Sequence, residues 1–332
     1  MAFRYGFLTY LSRSGSTFLS NLLNNYADIC VTLEGDFPPE LLGVKNRSVL
    51  HINAYEEIDY YFDYIVNNSR VSSWDLDLRS FKDDLYEASL PISGADIFKK
   101  LLEAYRNKHK PNATVVLYKG VPFLPWMLDE VVQNFPESQV IHLFRDPRAV
   151  YNSQKGLPLP YEERDFVFNP FQTVDEWKRS VQKCNHPVRQ NVLPVRYEDL
   201  ILNTEAIRKQ LISFLKTSDN LATENTFSQR IPDQEQVIHQ DVAKSPKKEK
   251  IHRWKENLEP REIEILEIGL GELLKEHAYD LSGSHNTIPS QISYYKSYLS
   301  YTFYTVFHRI KRIINGVRTD PSKYYIKLKS RF

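Results

Sequence analysis

Apolar residues along this chain gather in short runs, and between the runs they recur at every third or fourth position. Short runs bounded by polar or glycine-containing turns read as buried strands, and the 3.6-residue recurrence reads as helix. The runs predict strands at Tyr5–Tyr10, Ile29–Leu33, Thr114–Tyr118, Val140–Phe144 and Val192–Tyr197. The recurrence predicts helices at Ser16–Tyr26, Ala95–Asn107, Leu124–Asn134, Val150–Gln154, Val174–Cys184, Thr204–Phe214 and Pro260–His277. Strands alternating with helices imply an α/β class with a central parallel sheet covered on both faces. Ligands of such sheets bind beyond the carboxyl ends of the strands. Residues 45–94 are rich in Tyr, Asp and Ser and read either as a substrate-side insertion or lid, or as a surface helical excursion. Residues 155–172, with three prolines and several aromatics, form a second candidate acceptor loop.

The pattern changes character near the C-terminus, so the chain is expected to divide into a main domain over 1–285 and a tail over 286–332. From Ile292 onward the tail carries nine Lys or Arg against one acid, Asp320. Its charge is therefore +8, which leaves −7 on the rest of a chain whose net charge is +1. Tyr295, Leu299, Phe303, Val306, Ile310 and Ile313 follow helical spacing. A basic, aromatic, amphipathic helix suits peripheral contact with an anionic membrane surface. It equally suits packing on its own domain, or on a second subunit of a homo-oligomer.

Composition adds bounds. A chain of 332 residues, 42% hydrophobic and 26% charged, can bury one sizeable α/β core. A net charge of +1 gives no support to a nucleic-acid partner. Cys30 and Cys184 are far apart and lack metal-ligand spacing, so neither a disulfide framework nor a metal site is expected. The N-terminus leads straight into the first strand, without a signal peptide or a run long enough to span a bilayer. The expected location is cytoplasmic, with peripheral contact at the inner face of a bacterial membrane.

Two strand-to-helix junctions carry the candidate chemistry. The first is Phe7-Leu8-Thr9-Tyr10-Leu11-Ser12-Arg13-Ser14-Gly15-Ser16-Thr17-Phe18-Leu19. Free N–H groups and the positive end of a helix favour an anion there. Gly15 permits close backbone approach, Ser14, Ser16 and Thr17 offer hydroxyls, and Arg13 brings a cation. The glycine–four–glycine–lysine spacing of ATP and GTP loops is absent. The second junction is Val140-Ile141-His142-Leu143-Phe144-Arg145-Asp146-Pro147-Arg148-Ala149-Val150-Tyr151-Asn152-Ser153. A strand-end Arg145 and a Ser153 about two helical turns later suit one phosphate. In a plainer reading, Asp146 and Arg148 cap and charge-balance a surface helix.

The pair resembles the sulfotransferases that use 3′-phosphoadenosine 5′-phosphosulfate (PAPS) and release adenosine 3′,5′-bisphosphate (PAP). Arg13 to Thr17 is similar to the family's 5′-phosphosulfate loop, and Arg145 to Ser153 to its 3′-phosphate motif. Val195-Arg196-Tyr197-Glu198-Asp199-Leu200 resembles the later strand-end segment whose tyrosine lies near the adenine. Arg253-Trp254-Lys255, with Asn257-Leu258, resembles the C-terminal cofactor segment, in which Lys250 is also a candidate. The resemblance runs from about residue 5 to residue 281, and its wording is closest to the carbohydrate and tyrosyl-protein branches. It implies a P-loop-like three-layer α/β sandwich, PAPS as sulfuryl donor and no metal requirement. The cofactor-binding residues would be Arg13, Ser14, Gly15, Ser16, Thr17, Phe18, Arg145, Ser153, Tyr197, Lys250, Arg253 and Trp254.

In-line sulfuryl transfer needs positioning, charge stabilisation and a base. Arg13 is placed to stabilise the leaving-group oxygen, and Lys119 resembles the family's Lys before a Pro-containing turn. The turn here is Lys119-Gly120-Val121-Pro122, looser than the family pattern, and Lys119 also reads as a surface strand-end charge. Glu34 stands where the carbohydrate and protein branches place a base. Asp36 and Glu40 are nearby substitutes, and a histidine base would be His51, His109 or His142. The expected function is transfer of the sulfuryl group to a hydroxyl of a carbohydrate or glycolipid. The alternatives are a tyrosyl-protein sulfotransferase, an inactive nucleotide-binding homologue, and a nucleotide kinase.

Overall fold

The computed structural model describes residues 3–36, 39–42, 51–68, 70–120, 124–158, 165–185, 191–221, 248, 251–283 and 287–319. In chain order the strands are β1 (Arg4–Tyr10), β2 (Ile29–Val31), β3 (His51–Ile52), β4 (Ile92–Ser93), β5 (Val115–Lys119), β6 (Gln139–Phe144) and β7 (Val192–Arg196). The helices are α1 (Ser16–Asn24), α2 (Ile58–Asn68), α3 (Leu78–Tyr86), α4 (Gly94–His109), α5 (Leu128–Asn134), α6 (Pro147–Gln154), α7 (Pro170–Cys184), α8 (Tyr197–Leu202), α9 (Thr204–Leu215), α10 (Trp254–Asn257), α11 (Pro260–Glu276) and α12 (Ile288–Thr319). Five strands form one sheet in the order β2-β5-β1-β6-β7, and all its pairings are parallel. This is the central parallel sheet with helices around it that the alternation of elements predicts. Every residue of β5 and all but the first of β6 are buried, as befits strands covered on both faces.

The chain divides into two compact units, one of residues 1–145 with 180–250, the other of 146–179 with 251–332. The first holds the sheet. Its core includes an aromatic cluster in which Phe98 meets Tyr118 at 4.9 Å and Phe7 meets Phe135 at 5.0 Å between ring centroids. Trp74, fully buried, packs edge-on against Tyr105 at 5.0 Å. Ile52, Ile58, Ile65, Val71, Phe81, Leu85 and Ile92 share this core, so the described part of 45–94 is tied to the main domain by buried side chains. Each such side chain contributes about 1.5–3 kcal/mol on burial.

α1 is fixed at its far end by Lys110. The ammonium donates to the carbonyls of Asn24, Tyr26 and Ile29 at 2.7–2.8 Å. Burial pushes the Lys110 pKa below the usual lysine value. These bonds satisfy carbonyls at and beyond the helix C-terminus, and they hold the helix whose opposite end carries the Arg13–Gly15 loop.

In the second unit, α6 starts at Pro147 instead of Val150 because Asp146 caps it, accepting from the Arg148 N–H at 2.9 Å. α7 starts at Pro170 instead of Val174, where the Asn169 side chain accepts from the Gln172 N–H at 3.2 Å. Proline at the first helical position and an Asx cap are start signals in their own right. The span expected as one helix from Leu124 opens as a 3₁₀ turn, Leu124–Met127, before α5. α12, expected as a tail, packs with α11 inside the second unit. Cys30 and Cys184 are buried and are not joined in a disulfide.

Candidate functional site

Sheet order brings the first junction together. β1 lies between β5 and β6, and β7 lies beyond β6, so the carboxyl ends of all four strands form one edge. After β1 the chain turns sharply, and the Ser14 N–H donates to the Leu11 carbonyl at 3.2 Å. Arg13 and Gly15 both lie in the left-handed region, at φ 73° and 93°, with Ser14 between them. Such alternation turns successive N–H groups into an anion-binding concavity. Gly15 is the N-cap of α1 and supplies no side-chain acceptor, so the first-turn amides are left for another partner. Ser14, Ser16 and Thr17 are buried, and Arg13 and Phe18 are half-buried.

Two residues from neighbouring strand ends close on this loop. Arg145, after β6, donates from its guanidinium to the Arg13 carbonyl at 3.1 Å. The same guanidinium lies over the Tyr197 ring, 4.5 Å from its centroid. Tyr197 follows β7, and its ring occupies the space a Cβ on Gly15 would fill. Glycine at position 15 is thus required twice, by its positive φ and by this contact.

On the other side of β1, Lys119 ends β5. It is buried, which sets aside its reading as a surface charge. Its ammonium lies 3.4 Å from the Thr17 hydroxyl and 3.9 Å from the Glu34 carboxylate. Beyond β2 the backbone keeps parallel company with the end of β5, through a bridge between Gly35 and Gly120. The Gly35 N–H donates to the Lys119 carbonyl at 3.1 Å. That extension sets Glu34 beside Lys119. The Glu34 carbonyl accepts from the Trp74 indole at 3.4 Å, which ties the carboxylate's backbone to the 51–94 segment.

Sequence reasoning missed two neighbours of Glu34. Arg70 lies 3.9 Å from its carboxylate, and no local pattern links residue 70 to residue 34. Tyr10 is fully buried. Burial first, and the Glu34 charge second, push its hydroxyl well above the usual tyrosine pKa and keep it protonated. It read only as an apolar strand position.

The histidine alternatives have other settings. His142 is fully buried, with one ring nitrogen 2.9 Å from the Ser180 hydroxyl and the other 2.5 Å from the Asn185 amide oxygen. His109 meets the Trp74 carbonyl at 2.9 Å, and His51 is exposed on β3. Asp36, two residues after Glu34, is half-buried, and the Glu40 side chain lies outside the described residues.

Ser153, Arg253 and Trp254 belong to the second unit. Ser153 is half-buried on α6, Arg253 is exposed, and Trp254 is buried. Lys250 lies outside the described residues. Arg148 lies 4.0 Å above the Trp254 ring, donates to both Asp146 carboxylate oxygens and pairs with Glu267. Asp146 and Arg148 do cap and balance a helix, but in a buried cluster instead of on the surface. Among the described residues no group of three His, Cys, Asp or Glu is arranged to hold a metal ion.

Residues 7–220 match the sequence profile of the Sulfotransferase family. The match covers more than half of the chain, and the chain belongs to that family, a class of group-transfer enzymes that uses PAPS. The sulfotransferase domain of the Synechococcus PCC 7002 olefin synthase superposes with a TM-score of 0.54 at 18% identity, covering 84% of this chain and 96% of that one. The sulfotransferase domain from the curacin biosynthetic pathway gives 0.49 at 18% identity over 85% and 99%. A mouse sulfotransferase complexed with PAP gives 0.36 at 14% identity over 87% and 88%. The likeness to the olefin synthase domain is one of fold. No curated protein is similar enough in sequence to count as a match.

Proposed function

We propose that this chain transfers the sulfuryl group of PAPS to a hydroxyl of a carbohydrate or glycolipid acceptor by in-line displacement. The observation that carries the reading is the gathering of Arg13, Lys119 and Arg145 about the uncapped start of α1, with Glu34 beside Lys119. The N–H groups of the loop and the hydroxyls of Ser14, Ser16 and Thr17 bind the 5′-phosphosulfate. Arg145 binds the 3′-phosphate, and Tyr197 lies along the adenine. Ser153, Lys250, Arg253 and Trp254 are carried to the same nucleotide by motif resemblance alone.

Glu34 takes the proton of the acceptor hydroxyl as its oxygen bonds to sulfur. Lys119 and Arg13 stabilise the charge that collects on the phosphate oxygen as its bond to sulfur breaks. Arg70 and Lys119 flank Glu34, each with a nitrogen 3.9 Å from its carboxylate. The carbohydrate acceptor rests on this glutamate, whose place after the second strand resembles the carbohydrate and tyrosyl-protein branches.

The test is transfer of labelled sulfuryl from PAPS to a panel of sugars, glycolipids and tyrosine peptides. Glu34→Gln lowers turnover by about 10²–10⁴-fold while leaving PAP affinity nearly unchanged. Arg145→Ala weakens PAP binding by about 1.5–3 kcal/mol through loss of a charge-assisted contact. Full turnover in the first variant removes the base, and unchanged binding in the second removes Arg145 from the site. Transfer to tyrosine peptides alone replaces the carbohydrate acceptor with a protein one.

A further inference from the structure

α12 is built with its burial reversed. Ser290 and Ser293 are buried, and the Arg261 guanidinium donates to the Ser293 hydroxyl at 2.8 Å. On the same side Tyr298 meets Phe171 at 5.1 Å, and Tyr304 stacks on Phe168 at 4.2 Å. The helix therefore packs on its own unit through serines and tyrosines. A second set of apolar residues points the other way. Ile292, Leu299, Phe303, Val306, Ile310 and Ile313 are between 40% and 75% exposed. At 3.6 residues per turn these six fall within about 80° of arc, a stripe running about 32 Å along the helix. Single exposed apolar side chains are ordinary, but a stripe of this length marks a contact surface.

The charges indicate what covers it. The helix holds Lys296, Arg309, Lys311, Arg312 and Arg318 and no acidic residue. Lys296 and Arg309 are exposed on opposite flanks of the stripe, and Lys311 is exposed beyond Lys296. A second copy of α12 laid on the first would set cations against cations, with no counter-charge from either helix. An anionic lipid surface meets both features at once: acyl chains take the stripe, and headgroups take the flanking cations. No described helix is long and apolar enough to cross a membrane.

We infer that α12 is an interfacial helix that docks this protein on an anionic lipid membrane. The test uses the full chain and flotation with vesicles of phosphatidylcholine alone, or of phosphatidylcholine mixed with phosphatidylglycerol. Binding to the anionic vesicles exceeds binding to the neutral ones by at least about tenfold and falls with added salt. Leu299→Asp with Phe303→Asp abolishes it. Lys296→Glu with Arg309→Glu and Lys311→Glu keeps the stripe and lowers partition by about 100-fold or more. Circular dichroism confirms that both variants remain folded, since all five side chains are exposed. Absent binding, or equal binding to the two vesicle types, overturns the inference. So does a dimer in sedimentation equilibrium that the Asp variant dissociates while no vesicle is bound, which assigns the stripe to a second copy. None of these readouts uses the nucleotide, so the outcome is independent of the sulfuryl-transfer reading.

Discussion

Arg13 and Gly15 occupy left-handed backbone within three residues of each other, and only one of them is glycine. Holding a residue with a Cβ there costs about 1–2 kcal/mol. Strain of this kind concentrates where a ligand is gripped. Gly15→Ala adds a second such cost and drives a methyl group into the Tyr197 ring. PAP affinity is expected to fall by at least about tenfold, which corresponds to 1.4 kcal/mol and lies within the strain expected from one such residue. Calorimetric titration checks this, and unchanged affinity would mean that the loop does not touch the nucleotide. Arg13, Gly15, Glu34 and Arg145 were legible in the sequence because each sits at the end of an apolar run, where chemistry and element boundary coincide. Arg70 and Tyr10 were not. Arg70 reaches Glu34 only after the 51–94 segment has folded against the sheet, and Tyr10 differs from its apolar strand neighbours by one hydroxyl.

At the level of elements, the parallel strands were the most legible part, because burial on both faces makes them near-continuous apolar runs. Helix starts were less so. The apolar recurrence places α6 and α7 three and four residues late, since caps and prolines carry no apolar signal. The described elements of 51–94 were hardest to read, because Tyr and Asp interrupt their period and Trp74 and Phe81 settle their packing from afar. One ionisable cluster ties α6 to α11 in the second unit. Burial alone would raise the Glu262 carboxyl. The Lys155 ammonium at 2.7 Å, the Glu259 N–H at 3.0 Å and the Tyr151 hydroxyl at 2.9 Å outweigh it and hold the group below the usual glutamate value. A carboxylate whose folded pKa is lowered contributes stability above its unfolded pKa, and loses it as pH falls through the folded one. Glu262→Gln should therefore melt below the parent at neutral pH, with the gap closing as the pH falls from near the ordinary glutamate value of 4.5 through the lower folded one. A gap that stays constant across a melting series over that range would exclude ionisation of Glu262 as its source.

Across the whole chain, the net charge of +1 conceals a division into +8 from Ile292 onward and −7 before it. Composition totals could not reveal this, whereas the sequence pattern of the tail did, and it gave five of the six stripe residues, with Tyr295 in place of Ile292. The division into two units was not legible, because each is assembled from segments far apart in the chain. Membership of the sulfotransferase family rests on 7–220, and the five-stranded parallel sheet gives that segment its form. The proposal for this chain is that it binds a nucleotide carrying both a 3′-phosphate and a 5′-phosphate, without metal. Thermal unfolding of the full chain in the absence of Mg²⁺, with PAP compared against AMP, ADP and ATP, tests that most directly. A ligand at 100 times its dissociation constant adds about 2.7 kcal/mol of stability, enough for a clear rise in Tm. The account predicts that PAP raises the Tm and that the other three do not. A rise with ATP alone, or with none of the four, would contradict it.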